Sequence, residues 1–192
     1  MILVHASPKT LEPYRTENLG VLCSPRRVYG KEMDGWPWAA DNDAYSKWDA
    51  GRYRDMLGRI RRREGCMFVT APDVVGDARE TLRRFWEWRD ELDGLPIALV
   101  GQDGLEDPPW EAFQAFFVGG TTEWKLGQQA ARLVQEANER GKWVHMGRVN
   151  SYERGRYARW LGCDSIDGTQ FSWFRDAKLP TYLASLRQEM FT

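Results

Sequence analysis

The sequence predicts an α/β protein that folds as a compact (β/α)8 barrel of the TIM type, as one domain over residues 1–192. Eight short apolar runs alternate with amphipathic segments of helical period, and strands separated by helices pair in parallel. The helical segments also begin and end at residues typical of helix ends. Because about 200 residues is the lower size limit for such a barrel, a doubly wound open sheet is the alternative.

The eight apolar runs are the candidate strands. They are short, rich in β-branched and aromatic residues, and bounded by polar or turn-forming residues. In chain order they cover residues 2–5, 20–23, 38–40, 66–70, 97–100, 116–118, 143–146 and 164–166. The first two have the weakest strand pattern, and without them the open sheet would be favoured.

Four segments between the runs have the pattern of helices with recognisable ends. Asp49 and Asp77 are predicted N-caps, and Asn150 with Glu153 three residues later resembles a capping box. Each segment stops at a glycine, which readily adopts the left-handed conformation of a helix end. With caps and stopping glycines included, the segments are 49–65, 77–94, 123–141 and 150–162.

Composition excludes several classes of protein. With 27 basic and 28 acidic side chains, the chain is not expected to coat nucleic acid non-specifically. The cysteines Cys23, Cys66 and Cys163 lie far apart and form no C-x-x-C pair, so neither a disulfide scaffold nor a zinc ribbon is favoured. We assign no metal and no cofactor. No stretch approaches the ~20 apolar residues of a membrane span, so we expect a cytoplasmic protein without membrane contact.

Polar residues follow most of the runs at their carboxyl ends. In a barrel these ends meet on one rim, where the chemistry of such folds takes place. Carboxylates in this position could act as acid, base or nucleophile on a polar, planar or sugar-like ligand. We interpret Asp43, like the two predicted caps, as a turn or cap residue. The candidate site residues are Asp41, Asp73, Gln102, Gly119, Gly120, Gly147 and Asp167.

In this order the motifs resemble those of the queuine/archaeosine-type guanine transglycosylases, which exchange a guanine in tRNA for a 7-deazaguanine, and of their phage DNA-modifying relatives. The resemblance spans residues 20–169 and rests on short ordered motifs. They are Asp41 in W-A-A-D-N-D-A-Y-S, Asp73 in T-A-P-D-V-V, Gln102 in V-G-Q-D-G, Gly119 and Gly120 in F-V-G-G-T-T-E, Gly147 in W-V-H-M-G-R-V and Asp167 in G-C-D-S-I-D-G.

The resemblance implies a role for each of these residues. Asp167 would be the nucleophile that forms a covalent glycosyl-enzyme, and Asp41 the general acid and base. Asp73, Gln102 and the glycine turns would bind the base. The implied partners are a DNA or tRNA substrate and a free 7-deazaguanine base. The turn after Asp41 departs from the family pattern, because residues 42–44 differ from it.

A second departure concerns the polymer. The resembling enzymes usually carry a C-x-C-x-x-C…H zinc subdomain after the nucleophile, and the residues after Asp167 contain no such ligands. This favours a reduced, phage-type DNA enzyme over a tRNA enzyme and leaves open whether a partner subunit is needed. The candidate contacts to the polymer backbone are Arg148, Arg154 and Arg156, and the candidates for stacking on a flipped base are Tyr45, Trp124 and Phe171.

Two other functions remain open at this point. Residues 119–122 could bind a phosphate before a helix, as in barrel lyases and isomerases. That reading lacks an evident Schiff-base lysine, since Lys125 lies on a predicted helix and Lys142 precedes its strand. The other function is a nucleobase or nucleic-acid binding module without catalysis, such as the small subunit of a larger modifying complex.

Overall fold

Eight parallel strands close into a barrel in the computed structural model, which describes residues 1–188. Each strand pairs with the next along the chain, and the last pairs with the first, with Leu3 opposite Asp167. This confirms the predicted barrel class and rules out the open sheet. The strands are β1 (Ile2–Val4), β2 (Leu19–Cys23), β3 (Trp38–Ala40), β4 (Cys66–Thr70), β5 (Ile97–Gly101), β6 (Ala115–Val118), β7 (Trp143–Met146) and β8 (Ser165–Asp167).

Helices connect most of the strands. Within residues 1–188, none of them is long and apolar enough to cross a membrane. Short 3₁₀ turns occur at Glu12–Tyr14, Lys31–Met33, Asp90–Leu92 and Trp110–Ala112. The helices are α1 (Pro8–Leu11), α2 (Ala50–Ile60), α3 (Ala78–Trp88), α4 (Thr122–Lys125), α5 (Gln128–Glu139), α6 (Tyr152–Trp160), α7 (Thr169–Trp173) and α8 (Arg175–Gln188).

Two of the predicted N-caps are confirmed. The carboxylate of Asp49 accepts a hydrogen bond from the Arg52 N–H at 3.0 Å, and Asp77 accepts one from the Glu80 N–H at 2.9 Å. These bonds satisfy N–H groups that have no partner within the first turn of a helix. The starts of α2 and α3 are therefore determined by sequence next to them.

Two of the helix predictions are wrong in detail. The long helix predicted over 123–141 is two helices, because Gly127 has extended backbone and starts α5 instead of continuing α4. At α6 the cap is Ser151, whose hydroxyl accepts from the Arg154 N–H at 3.2 Å. The side chain of Asn150 instead bonds to Thr169, at the start of α7.

The apolar side chains form two layers. Strand residues alternate between the inside of the barrel and the face covered by helices, as the pleat of a strand requires. In β7 the buried neighbours Val144 and Met146 belong to the outer layer, so His145 between them points into the barrel. Its ring lies 5.1 Å from the ring of Phe68 and 4.7 Å from that of Phe117. The inner layer comprises Leu3, Leu22, Ala39, Phe68, Ala98, Val100, Ala115 and Phe117.

A pair of glycines tests this packing. A Cβ on Gly20, in β2, would lie 2.7 Å from Leu3 Cδ2 and 2.8 Å from the Pro37 carbonyl oxygen, whereas one on Gly58, in α2, would meet nothing within 4 Å. We expect Gly20→Ala to lower the free energy of unfolding by about 1–3 kcal/mol. Gly58→Ala should raise it by about 0.5–1 kcal/mol. Urea unfolding of both variants measures this, and an unchanged stability of Gly20→Ala would contradict the packing.

Candidate functional site

A cavity of about 520 Å³ opens at the carboxyl ends of the strands. That volume suits a small-molecule or nucleotide ligand. Every strand or the loop after it contributes to the lining, as a closed barrel requires. In strand order the contributors include His5, Ser24, Asp41, Asp73, Gln102, Gly119, Arg148 and Asp167. A more open groove of about 710 Å³ lies beside α1 and contains none of these residues.

Asp167, the last residue of β8, is held as a charged carboxylate. The residue is only 9% exposed. His145 Nε2 lies 2.9 Å from Oδ2, and the Arg148 N–H donates to Oδ1 at 3.2 Å. Burial alone would raise the pKa of Asp167, but these hydrogen bonds hold it below its usual value. An ionised carboxylate therefore faces the cavity at neutral pH.

A chain of buried hydrogen bonds fixes the ring of His145. Ser165 Oγ lies 2.8 Å from His145 Nδ1 and 2.8 Å from the indole Nε1 of Trp143. Tryptophan can only donate, and an ionised Asp167 can only accept. Burial lowers the pKa of His145, so the ring is neutral. The proton therefore sits on Nε2 and points at Asp167, while Nδ1 accepts the hydroxyl proton of Ser165.

Two amide side chains hold Asp73, three residues beyond β4. Asn42 Nδ2 donates to Oδ1 at 2.8 Å, and Gln102 Nε2 donates to Oδ2 at 2.6 Å. Both amide oxygens accept backbone N–H groups, at 2.8 Å for Asn42 and at 2.9 and 3.0 Å for Gln102. Burial raises the pKa of Asp73, and the two amides partly offset this. Gln102 thus positions Asp73, with one amide hydrogen left for a ligand.

Asp41 is the counterpart of Asp167. It follows β3 directly and accepts one hydrogen bond, from the Asn42 N–H at 2.7 Å. Burial, together with the charges of Asp167, Asp73 and Asp43, raises the pKa of Asp41 to about 8. One carboxyl group is thus protonated at neutral pH and another in the same cavity is ionised. This is the arrangement of an acid beside a nucleophile.

Asp43 lies in a turn, as predicted, but it caps no helix. Its φ is 62°, and its carbonyl oxygen accepts the N–H groups of Ser46 and Lys47. Its side chain also lines the cavity, with Oδ2 3.8 Å from Arg26 Nε. The interpretation of Asp43 as purely structural is therefore incomplete.

The backbone N–H groups of the glycine turn after β6 form hydrogen bonds within the protein. The Gly119 N–H donates to a β5 carbonyl at 3.1 Å, and the Gly120 N–H donates to Gln102 at 3.0 Å. A Cβ on Gly119 would lie 2.6 Å from Val100, so packing requires the glycine. These N–H groups are not free to bind a base, contrary to the expectation from sequence. Gly147 packs against Phe117 and Asp167 and is not part of the cavity lining.

The same turn does not fit the phosphate loop of the alternative reading. The carboxylate of Asp103 bonds the Thr121 N–H at 2.8 Å and the Thr121 hydroxyl at 2.5 Å. A carboxylate thus occupies the donors that a phosphate would use, and it would repel that phosphate.

Cationic side chains lie around the cavity, but not all of the predicted ones. Arg148 and Arg154 line it, together with Lys125, Arg26 and Arg27, which were not among the predicted contacts. Arg156 lines a different cavity, with Met1 and Tyr152, because it projects from another face of α6. Arg156 is therefore not part of this site.

The aromatic side chains at the mouth differ from the prediction. Tyr45 is 67% exposed, and the guanidinium of Arg148 lies 4.3 Å from its ring centre. Trp173, in α7, is 73% exposed and also lines the mouth. Trp124 and Phe171 are buried, Trp124 in hydrogen-bond contact with Gln129, so their prediction as stacking residues is wrong.

Some residues of the site carried no local signal. His145 lies within an apolar run, and only strand alternation directs it into the barrel. His5 lines the cavity beside the end of β1, and its Nδ1 has no hydrogen-bond partner within residues 1–188. Comparison with known proteins adds no assignment: no protein-family model matches the chain, and no curated protein shows significant similarity to it.

The opposite pKa shifts of Asp41 and Asp167 predict opposite effects on stability. Near pH 4 the Asp41 carboxyl is protonated in the folded state and only about half ionised in the unfolded chain, so Asp41→Asn should have little effect. Between pH 4 and pH 8 the Asp41 carboxyl ionises only in the unfolded chain, which lowers the free energy of unfolding of the wild type. The free energy of unfolding of Asp41→Asn should therefore rise relative to that of the wild type, by at most about 1.4 kcal/mol per pH unit. Urea unfolding between pH 4 and 8.5 measures the gain.

Asp167→Asn supplies the control of opposite sign. The lowered pKa of Asp167 contributes stability above its usual pKa that is lost as the pH falls, so this variant should be less stable than the wild type at pH 7 and closer to it at low pH. A pH-independent difference for both variants would contradict the charge states described above.

Proposed function

We propose that this protein is a guanine transglycosylase that exchanges guanine in a nucleic acid for a 7-deazaguanine base, with DNA favoured over tRNA as the polymer. The supporting observation is that an ionised Asp167 and a protonated Asp41 line one cavity. Carboxylates in those two states are what displacement of a purine from a sugar requires. The proposal needs no metal or cofactor.

In the first half of the reaction Asp167 attacks C1′ of the target nucleotide. The bond from C1′ to the guanine nitrogen breaks and a bond from C1′ to a carboxylate oxygen forms, through an oxocarbenium-like transition state. Guanine leaves poorly as an anion, so Asp41 donates its proton to the departing base. Before substrate binds, the hydrogen bonds from His145 and from the Arg148 N–H keep the Asp167 carboxylate ionised and fix its orientation.

In the second half Asp41, now ionised, removes the ring N–H proton of the incoming 7-deazaguanine. The resulting ring nitrogen attacks C1′ and releases Asp167, which restores the resting charges. The free lone pairs of Asp73 accept from the N–H groups on the Watson–Crick edge of either base. This use of Asp73 depends on the two amides that hold it.

The target base has to leave its stack to reach the carboxylates, because they lie at the barrel end and within the cavity. Tyr45 and Trp173 are the exposed aromatic side chains at the mouth that could stack on neighbouring bases. A labelled-guanine exchange assay on single-stranded DNA, duplex DNA and tRNA tests the function. Mass spectrometry of nucleosides from cells with and without the gene identifies the inserted base.

A barrel lyase that forms a Schiff base is the second candidate, and Lys125 is the observation that favours it. Lys125 lines the cavity, and burial with the nearby charge of Arg148 lowers its pKa to about 7. Borohydride trapping of the protein on sugar phosphates separates the two functions. A trapped adduct that requires Lys125, without base exchange, would favour the lyase; binding without turnover in either assay would favour the silent binding module.

Asp167→Asn is expected to abolish guanine exchange while the protein stays folded at pH 7. The amide is nearly the same size as the carboxylate but is not a competent nucleophile. The covalent nucleic-acid adduct, seen on denaturing gels, should also disappear. Exchange at the wild-type rate by this variant would refute the assignment of the nucleophile.

Comparison of Asp41→Asn with Asp43→Asn tests whether Asp41, rather than the nearby Asp43, is the general acid. Losing the general acid should slow guanine displacement about 10²–10⁴-fold in single-turnover exchange. Asp43→Asn should retain activity, because asparagine tolerates the positive φ of this turn.

The two variants also differ in their pH dependence. In the wild type, displacement should decline above pH 8 as Asp41 loses its proton. Removing the charge of Asp43 should lower the pKa of Asp41 and move this decline to lower pH. If Asp43 proves essential and Asp41 dispensable, the two roles are exchanged.

A further inference from the structure

Charged side chains of both signs line the cavity. The carboxylates Asp41, Asp43 and Asp73 come from the loops after β3 and β4, Asp167 ends β8, and Arg26 and Arg27 come from the loop after β2. The cationic side chains Lys125, Arg148 and Arg154 come from the segments that follow β6 and β7. The proposed chemistry uses the carboxylates and assigns nothing to Lys125.

Lys125 is unusual because its side-chain amine is buried and bonds to a backbone carbonyl rather than to a carboxylate. The residue is 5% exposed, and its ammonium group donates to the carbonyl oxygen of Gly147. Within residues 1–188 it forms no ion pair. Burying an ammonium group against a single carbonyl is costly unless an anion joins it.

The two arginines likewise form no ion pair with the described residues. The Arg148 guanidinium donates to the Gly120 carbonyl and lies over Tyr45, while Arg154 has no side-chain hydrogen bond within residues 1–188. Asp167, the carboxylate whose charge acts on Lys125, is already bonded to His145 and to the Arg148 backbone. Three basic side chains thus line one side of the cavity, and none of them forms an ion pair with a carboxylate of the described residues.

We propose that Lys125, Arg148 and Arg154 form a phosphate subsite, which binds a phosphate group of the nucleotide whose base is exchanged. The inference rests on the proposed function and extends it, because it assigns recognition of a phosphate of the reacting nucleotide to three named side chains. A lysine supplies a point charge and the arginines supply planar pairs of donors, the set that recognises phosphate oxygens.

The subsite also explains the position of Lys125. Its ammonium group bonds to the carbonyl of Gly147, a residue that packs directly against Asp167. A phosphate held there would lie close to the nucleophile, as the phosphate attached to a reacting sugar has to. Its charge would also offset the burial that lowers the pKa of Lys125.

Calorimetric binding of 2′-deoxyguanosine and of its 3′- and 5′-monophosphates tests the subsite. The wild type should bind one of the monophosphates about 10–100-fold more tightly than the nucleoside, since hydrogen bonds between charged groups are strong. Lys125→Met and Arg154→Gln should each reduce this ratio about tenfold or more while leaving nucleoside binding nearly unchanged. Arg156→Gln, on the same helix as Arg154 but outside the cavity, is the matched control and should bind like the wild type.

Specific results would overturn the subsite. Equal affinity of the wild type for the nucleoside and both monophosphates would do so, as would an equal loss of nucleoside and monophosphate binding in both variants. If Lys125→Met fails to fold, Arg154→Gln decides, because it leaves no buried partner behind. Base exchange without a phosphate preference refutes the subsite alone, whereas a phosphate preference without exchange refutes the transglycosylase proposal and keeps the subsite.

Discussion

The hydrogen bond between His145 and Asp167 sets the charge on which the cavity depends. Without it, burial would favour a neutral Asp167, and Asp41 would lose the charge that contributes most to its raised pKa after burial. The ring of His145 is held in this orientation because Ser165 bonds to Nδ1 and is itself held by a hydrogen bond from Trp143. A polar chain inside an apolar barrel is stable only when every member is satisfied, and here each one is.

The barrel and the carboxylates could be predicted from local sequence. Apolar runs of three to five residues mark the strands, and the bounds of β3, β4 and β7 agree with the predicted ranges. Asp41 and Asp167 lie at strand ends, and parallel closure necessarily brings such ends together. Because the apolar runs locate the strand ends and barrel closure brings those ends together, the sequence alone could predict that these carboxylates share one site.

Whether the other side chains belong to the site depends on the direction in which they point, which their position in the sequence does not reveal. Lys125 enters the cavity because α4 ends after one turn, and Arg156 leaves it because of its position around α6. Trp124 and Phe171 follow strand ends but turn inward to pack. The amides of Asn42 and Gln102 look like ligand groups in the sequence, yet most of their hydrogen-bonding capacity is used inside the protein. Such outcomes follow from three-dimensional packing and not from spacing.

The pairing of β8 with β1 also has a consequence for the order of folding. Only Ile2 and Leu3 of β1 are in register with β8, and their partners Ile166 and Asp167 are made more than 160 residues later. During synthesis from the amino terminus, the sheet therefore keeps two open edges until β8 emerges from the ribosome. Asp167 lies on the strand that closes the barrel, so the group of carboxylates in the cavity is completed only when the barrel itself can close.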